Sequence, residues 1–490
     1  MGIQVPSPGD YPRGPPSRIV PESTIAFRIA LAGTGSFIGA ALVEALDPSL
    51  DIRILTRSMA RHAPREGIEV RPCDHFSRKE LREALEGVDA AVYLVHNRDP
   101  SARLDQAQTQ DMDLLVADNF AWAAARNGVK QILCRSVLMV RPDRPTARRA
   151  REMEEVLAGH GVPLTVLRTG LVLGPGGEFT KLLAHVVRRL PLIPLPAHAE
   201  SPVYPLTLQA FLAAVRHCVG HPESYGGTFD VFGPEAVTLK GLLEDTAALL
   251  GRRARFLRWR NLPEGPFWTL MQALGPRLHP DFLVYLMDLF SAGERGTENP
   301  VQQAVVAQWV PFRQTLEAAV RAQRSGSPGT TRHLDDDRLR EMGRVRSIQR
   351  MHLPEGRNAQ WMADRYFAWL GTLMKAFIVA VRDPDGSWTI RQRPWGPRLL
   401  RLDFQPSHST PDRRMYFITG GFLSGTLGRR EARLEFRDLL HGRFTLVAIH
   451  DFDPALPWMV YRFTQAAMHG LVMKAFQGYM EQAAEGQQGF

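Results

Sequence analysis

The chain has 490 residues, 44% of them hydrophobic, which is enough for two or three domains with cores of their own. Its three scattered cysteines, Cys73, Cys134 and Cys218, exclude a disulfide framework. The net charge of +9 would suit an anionic partner, but the basic residues are spread among acids, with no polybasic tract, helix-turn-helix or zinc-finger pattern; nucleic acid is not expected.

Residues 1–24 are rich in proline and glycine and read as a disordered tail, without the cationic start and apolar stretch of a signal peptide. Ile25 to Leu31 then forms an apolar strand that runs into Gly33-Thr34-Gly35-Ser36-Phe37-Ile38-Gly39, and Ala40 to Leu46 leaves at helical spacing. A strand, a tight glycine turn and a helix start hold a dinucleotide pyrophosphate, because glycines admit the phosphates close to the backbone and the open N–H groups favour negative charge. The same pattern also occurs as an ordinary strand-to-helix turn.

Strand and helix patterns then alternate: strands over Asp51 to Thr56, Ile68 to Arg71, Ala90 to His96, Gln131 to Cys134 and Leu164 to Arg168; helices over Arg78 to Leu85, Leu104 to Arg126 and Arg148 to Leu157. This predicts a doubly wound parallel sheet (Rossmann fold, α/β) with its ligand at the carboxyl ends of the strands. Further helices are expected over Leu182 to Leu190 and Leu208 to Val219, a late strand over Thr228 to Phe232 and a helical cap over Met271 to Phe290. Trp369 to Val381 is the most membrane-like segment, but Lys375 interrupts it and Arg365 and Arg382 flank it, short of the about 20 apolar residues of a span.

A Ser/Gly/Pro-rich stretch followed by Asp335-Asp336-Asp337 marks a linker over 324–338, between a domain over 25–323 and another over 339–490. The acidic triplet reads as a solvated linker or helix start rather than a metal site. Beyond it come a helix around Trp361 to Phe377, strands with one buried face around Phe377 to Val381, Trp388 to Ile390, Leu400 to Phe404, Leu434 to Phe436 and Phe444 to Ala448, and a terminal helix over Trp458 to Met480. A sheet closed over that helix predicts an α+β domain with an apolar cavity, although its aromatic and methionine positions suit plain core equally.

At the end of the second strand, where an acid would bond the adenosine ribose, the chain has Thr56-Arg57-Ser58, with Arg61 a turn on. A guanidinium suits a 2′-phosphate, so NADP is expected in preference to NAD; the other reading is a surface arginine.

The glycine turn, Leu55-Thr56-Arg57, Cys73-Asp74, Val92-Tyr93-Leu94-Val95-His96 and Leu167-Arg168-Thr169-Gly170-Leu171-Val172-Leu173-Gly174-Pro175-Gly176 resemble the extended and atypical short-chain dehydrogenase/reductases, in particular the NmrA-like and sugar-epimerase-like branch. The carboxyl half resembles a START-like, polyketide-cyclase-like helix-grip domain. The resemblance implies that Asp74 meets the adenine amino group, that Val95 and His96 lie along the cofactor, and that Ser136 sits near the nicotinamide. It also carries departures. Ser36 stands where the family's second glycine is usual, and no tyrosine is followed four residues later by lysine; Thr146 to Arg151, where that pair belongs, has neither. The lysine of that pair lowers the phenol's pKa for proton transfer.

Two functions follow as expectations. One is an NADP(H)-dependent cytoplasmic oxidoreductase acting on a hydrophobic or polycyclic small molecule, with Ser136, His96 and Tyr204 as candidates for the proton-handling group and Arg135 or Arg168 as candidates to steady an oxyanion. The other is a noncatalytic NADP(H)-binding sensor whose carboxyl-terminal domain takes a lipid-like ligand or a protein partner. No metal is expected: His217, Cys218 and His221 lie close together but read as a helix terminus.

Overall fold

Strands β1 (Arg28–Ala32) and β4 (Ala90–Tyr93) are apolar on both faces over nearly their whole length, the composition of strands covered on both sides, whereas the outer strands β2 (Asp51–Thr56) and β3 (Ile68–Pro72) turn Arg53, Glu69 and Arg71 to one face and pair them there. The computed structural model, which describes residues 27–46, 50–57, 65, 67–96, 104–138, 141–196, 198–258, 269, 273, 279–293, 295–324, 345–393, 395–425 and 432–487, builds them into a parallel sheet. Helices α1 (Phe37–Ala45) and α2 (Arg78–Ala84) link the first strands. After a short strand β5 (Leu104–Ala107) come α3 (Thr109–Arg126), β6 (Gln131–Val137), α4 (Pro145–Ala158) and β7 (Leu164–Thr169). The outer edge is Thr228–Val231, and the seven strands stand in the order β3-β2-β1-β4-β6-β7 and that edge strand. Helices Glu178–Arg189, Leu239–Leu249, Pro280–Ala292 and Phe312–Arg324 pack as the cap on the carboxyl ends of the strands, sharing one apolar core.

The carboxyl-terminal region is α+β. Val345–His352, Ile378–Arg382, Trp388–Gln392, Arg398–Phe404, Arg413–Gly420, Arg433–Leu439 and Phe444–Phe452 form an antiparallel sheet. It shares a core with the helices Ala359–Leu373 and Gln465–Gln487. That core is built on aromatic contacts: Phe367 lies on Trp388 with centroids 4.5 Å apart, and Phe476 meets Tyr366 edge-on at 5.1 Å and Trp369 at a tilt at 5.0 Å.

Two expectations are corrected. Leu104 to Arg126 is not one helix: Leu104–Ala107 is a strand that leaves the first sheet and pairs in parallel with Val345–Ile348, becoming the eighth strand of the second sheet. Gln106 fixes it there, its carbonyl accepting from Gln349 Nε2 at 2.7 Å and its own amide donating to the Ala466 carbonyl at 2.9 Å. The terminal helix is also split, Trp458–Phe463 and Gln465–Gln487, because the chain leaves helical geometry at Thr464. The linker stretch, the acidic triplet and the amino-terminal tail lie outside the described residues.

Between the sheets lies α3, buried along most of its length. Its Leu115 and Phe120 share a core with Ile348, Leu446 and Ala448 of the second sheet. Its acids are buried as well. Asp118 accepts from Arg78 at 2.7 Å and from Arg437 at 2.6 Å, and Arg437 also bonds Asn119 and Glu435; Asp111 pairs with Arg350 at 2.8 Å. Burial pushes the Asp118 and Glu435 carboxyls up, but the guanidiniums against them more than reverse that and hold both below the ordinary range.

Candidate functional site

A cavity of about 470 Å³ opens at the carboxyl ends of the parallel strands. At one end are Arg57, Asp74, His75 and Phe76; the glycine turn and Leu94 to His96 form the middle; Ser136, Thr146, Arg149 and the cap residues Phe282 and Tyr285 close the far end.

The turn owes its shape to two glycines. Gly33 has φ +90°, and a Cβ there would lie 2.3 Å from the Leu94 carbonyl oxygen. Gly39 does not line the cavity; a Cβ at that position would lie 2.4 Å from the Gly33 carbonyl oxygen, so its lack of a side chain lets α1 pack onto the turn. Ser36, the residue that departs from the usual glycine, is the N-cap of α1: its hydroxyl accepts from Gly39 N at 3.0 Å and donates to the Gly33 carbonyl at 3.0 Å. Gly33, Thr34, Gly35, Ser36, Phe37 and Ile38 all face the cavity. A helix start with its first N–H groups toward a groove is electrostatically suited to a diphosphate.

Arg57 stands exposed at the rim, close enough to His75 to lower its pKa. Ser58 and Arg61 lie outside the described residues. Asp74 lines the cavity, but one carboxyl oxygen accepts from Phe76 N at 3.1 Å and the other lies 3.7 Å from Arg346 of the second sheet, so this turn is tied to the carboxyl-terminal region. Arg433 reinforces that tie by donating to the Phe76 carbonyl, and the Arg346 guanidinium lies 3.7 Å from the centre of the Phe76 ring. Val95 is buried at the cavity wall, whereas His96 is half exposed with Nδ1 3.5 Å from Asp113.

Ser136 lines the cavity at the end of β6, and its Oγ is buried without a hydrogen-bond partner. Beside it, the Arg135 guanidinium donates to Thr169 Oγ1 at 2.9 Å and to the Gly170 carbonyl at 3.4 Å. Two other candidates fall away from the site. Tyr204 does not line the cavity; its ring meets Phe232 edge-on and lies under Arg295. Arg168 is a structural partner, bonded through two nitrogens to Glu154 at 3.2 and 2.7 Å. His217 and His221 stack at the end of the helix Leu208–Cys218, and among the described residues no group of three or more His, Cys, Asp or Glu is arranged to hold a metal.

Sequence reasoning missed the far wall. Where the usual tyrosine and lysine would stand, α4 presents Thr146, bonded to Asp288, and Arg149, paired with Asp281 at 2.7 Å. The cap brings His279, Phe282 and Tyr285, and the helix Glu178–Arg189 brings Phe179 and Lys181. The apolar run containing Tyr285 was visible as a cap, but nothing in its spacing aims it at the first domain's strands.

The groove fits a dinucleotide: its turn admits phosphate, a guanidinium stands beyond the second strand, and two of its lining residues, Ser136 and His75, hold buried polar atoms, Oγ and Nε2, without a hydrogen-bond partner. The fold and groove define an NAD(P)H-binding Rossmann protein, and the comparisons with known proteins agree. A family described as NAD(P)H-binding matches residues 33–177. The (4-alkanoyl-5-oxo-2,5-dihydrofuran-3-yl)methyl phosphate reductase of Streptomyces griseus subsp. griseus is 30% identical over 237 residues, which span 46% of this chain and 76% of that enzyme. The chain therefore belongs to the NAD(P)H-binding, Rossmann-type oxidoreductase family. The auxiliary protein GraX of Staphylococcus aureus is 27% identical over 139 residues, 28% of this chain and 42% of that protein. Among solved structures, Citrobacter sp. triphenylmethane reductase complexed with NADP(H) aligns with a TM-score of 0.48 at 17% identity, over 60% of this chain and 100% of its own. Among the described residues no helix is long and apolar enough to cross a membrane.

Proposed function

We propose that this chain is an NADP(H)-dependent oxidoreductase of the atypical short-chain dehydrogenase/reductase type, acting in the cytoplasm on a hydrophobic or polycyclic small molecule. In this reading a nucleotide-binding domain over 25–323 is joined through a linker at 324–338 to a START-like helix-grip domain over 339–490. The observation that carries it is one cavity in which Arg57 at one end and a phosphate-fitting turn at the middle are continuous with Ser136 and an apolar wall of Leu157, Phe179 and Phe282 at the other end. The Streptomyces relative is a reductase, which supports reduction as the direction.

The chemistry supplied by a bound nicotinamide is hydride transfer. The chain's own residues do the rest. The turn and the start of α1 hold the diphosphate, and Arg57 takes the 2′-phosphate. Ser136 Oγ gives its hydrogen bond to the substrate oxygen where negative charge develops. Arg135, held by Thr169 and Gly170, adds positive potential beside it. The apolar wall keeps water from the reacting atoms.

Replacement of the tyrosine–lysine pair by Thr146 and Arg149, both bound to cap acids, favours a second reading, a noncatalytic NADP(H) sensor whose carboxyl-terminal domain takes a lipid-like ligand or a protein partner. One experiment separates them: NADPH oxidation followed with a panel of quinones and polycyclic ketones, beside thermal stability with NADPH and NADH. Turnover with stabilisation supports the oxidoreductase. Stabilisation without turnover supports the sensor. No stabilisation by either coenzyme overturns both.

A further inference from the structure

Among the described residues, all the large apolar side chains that stand exposed, except Leu192, Leu257 and Val306, belong to the carboxyl-terminal region. Apart from Val381, which lies on an edge strand, they gather at one end of its sheet. Phe377, 67% exposed, precedes the edge strand Ile378–Arg382, and its carbonyl accepts from Arg393 N at 2.8 Å. Arg393 opens the turn that carries Trp395, 95% exposed. Across the next strand Phe422 N donates to the Arg398 carbonyl at 2.9 Å, and the carbonyl of Leu423 accepts from Ala455 N at 3.3 Å and from Gln465 Nε2 at 3.4 Å. That last bond brings in the two terminal helices, which expose Phe463 and Leu471. Hydrogen bonds thus link the segments that carry the rings along one rim.

The charge at this rim is one-sided. Among the described residues, the stretches that supply it, 365–382, 386–402, 413–425 and 454–480, contain no aspartate or glutamate. Lys375, Arg393, Arg398, Arg462 and Lys474 stand exposed among the rings. Against them are Asp453, beside Gly425, and Asp451, already bonded to Arg433 at 3.1 Å. Exposed apolar patches beyond a few hundred Å² mark interaction sites, and aromatic rings interleaved with lysine and arginine fit the lipid–water boundary, where rings enter the headgroup layer and cations meet anionic lipid. We propose that this rim is a peripheral docking surface for an anionic lipid bilayer, lying on its surface without crossing it. The surface is distinct from the nucleotide cavity and does not depend on the redox reading.

The test is sedimentation of the full chain with sucrose-loaded vesicles of phosphatidylglycerol and phosphatidylcholine, against phosphatidylcholine alone. Binding to the anionic vesicles is expected, falling at least tenfold at high salt. It should fall about fivefold for each of Arg393→Gln and Arg398→Gln, following the worth of about one basic residue at an anionic surface. The pair Trp395→Ser with Phe463→Ser should lower it at least tenfold, with the thermal midpoint unchanged. Brominated phosphatidylglycerol should quench the intrinsic fluorescence of the unaltered chain, and Trp395→Phe should remove most of that quenching. That last readout does not depend on the serine variants folding. Equal sedimentation with both vesicle types, or binding unmoved by these substitutions, overturns the proposal. So does a concentration-dependent dimer that the serine pair dissolves, without vesicle binding: the rim would then be covered by a second copy.

Discussion

At the scale of single residues, the groove makes two roles separable. Arg57 stands at its rim beyond the second strand, beside His75. A hydrogen bond to a charged group contributes about 1.5–3 kcal/mol, so Arg57→Ala should weaken NADPH binding about 10- to 100-fold while leaving NADH within twofold. Titration calorimetry with both coenzymes measures this directly, and equal losses would remove the 2′-phosphate assignment. Ser136 is different in kind: its buried hydroxyl has no partner in the protein, so it spends nothing on holding the fold. Ser136→Ala should leave stability and coenzyme affinity nearly unchanged and lower kcat by about 100-fold, the scale of a lost proton-handling or oxyanion contact. A kcat within threefold of the parent would move the catalytic role elsewhere on the wall, to Tyr285 first.

At the scale of elements, the glycine turn and the alternating strands were legible because each is dictated locally, by hydropathy period and by backbone space at Gly33 and Gly39. Ser36 looked like a departure and is a cap, a role only the hydrogen bond to Gly39 reveals. Leu104–Ala107 was read into the helix that follows because its four residues carry no period of their own; what makes them a strand is the edge of a sheet more than two hundred residues away. The acids of α3 likewise gave no sign of burial, since Asp111 finds its arginine, and Asp118 the second of its two, in the carboxyl-terminal sheet. The far wall was hidden for the same reason. This dependence has a consequence for the first region in isolation. A chain ending at residue 324 would expose the side of α3 that packs on Ile348, Leu446 and Ala448 and leave Leu104–Ala107 without its neighbour. It should aggregate or elute as large oligomers on size exclusion, whereas the full chain does not; a monomeric, folded fragment would refute the account of α3.

At the scale of the whole molecule, the two sheets are joined by buried charge. Arg437 lies between Asp118, on α3, and Glu435, on its own strand. Arg437→Leu keeps much of the volume but leaves both carboxylates short of a partner, and should cost about 3–5 kcal/mol in urea unfolding. Acid acts on the same assembly. Burial lowers the pKa of His75, His450 and His469 to about 4, with Arg57 adding to the effect at His75 and Arg433 at His450. In the unfolded chain a histidine titrates near 6.5, so between about pH 6.5 and 4 the unfolded state binds more protons, and stability is lost as pH falls through that window. Asp438 works the other way. Burial raises it to about 7, so the folded state holds the extra proton between about pH 4 and 7, and its contribution falls as pH rises. Three histidines against one carboxyl leave the histidines dominant, and Asp118 and Glu435, held low, add to the loss only below the ordinary carboxylate range. The thermal midpoint should therefore drop by several degrees from pH 7 to pH 5, with His450→Gln reducing the drop and Asp438→Asn enlarging it. A midpoint that stays level or rises on acidification would mean that burial does not hold these imidazoles neutral.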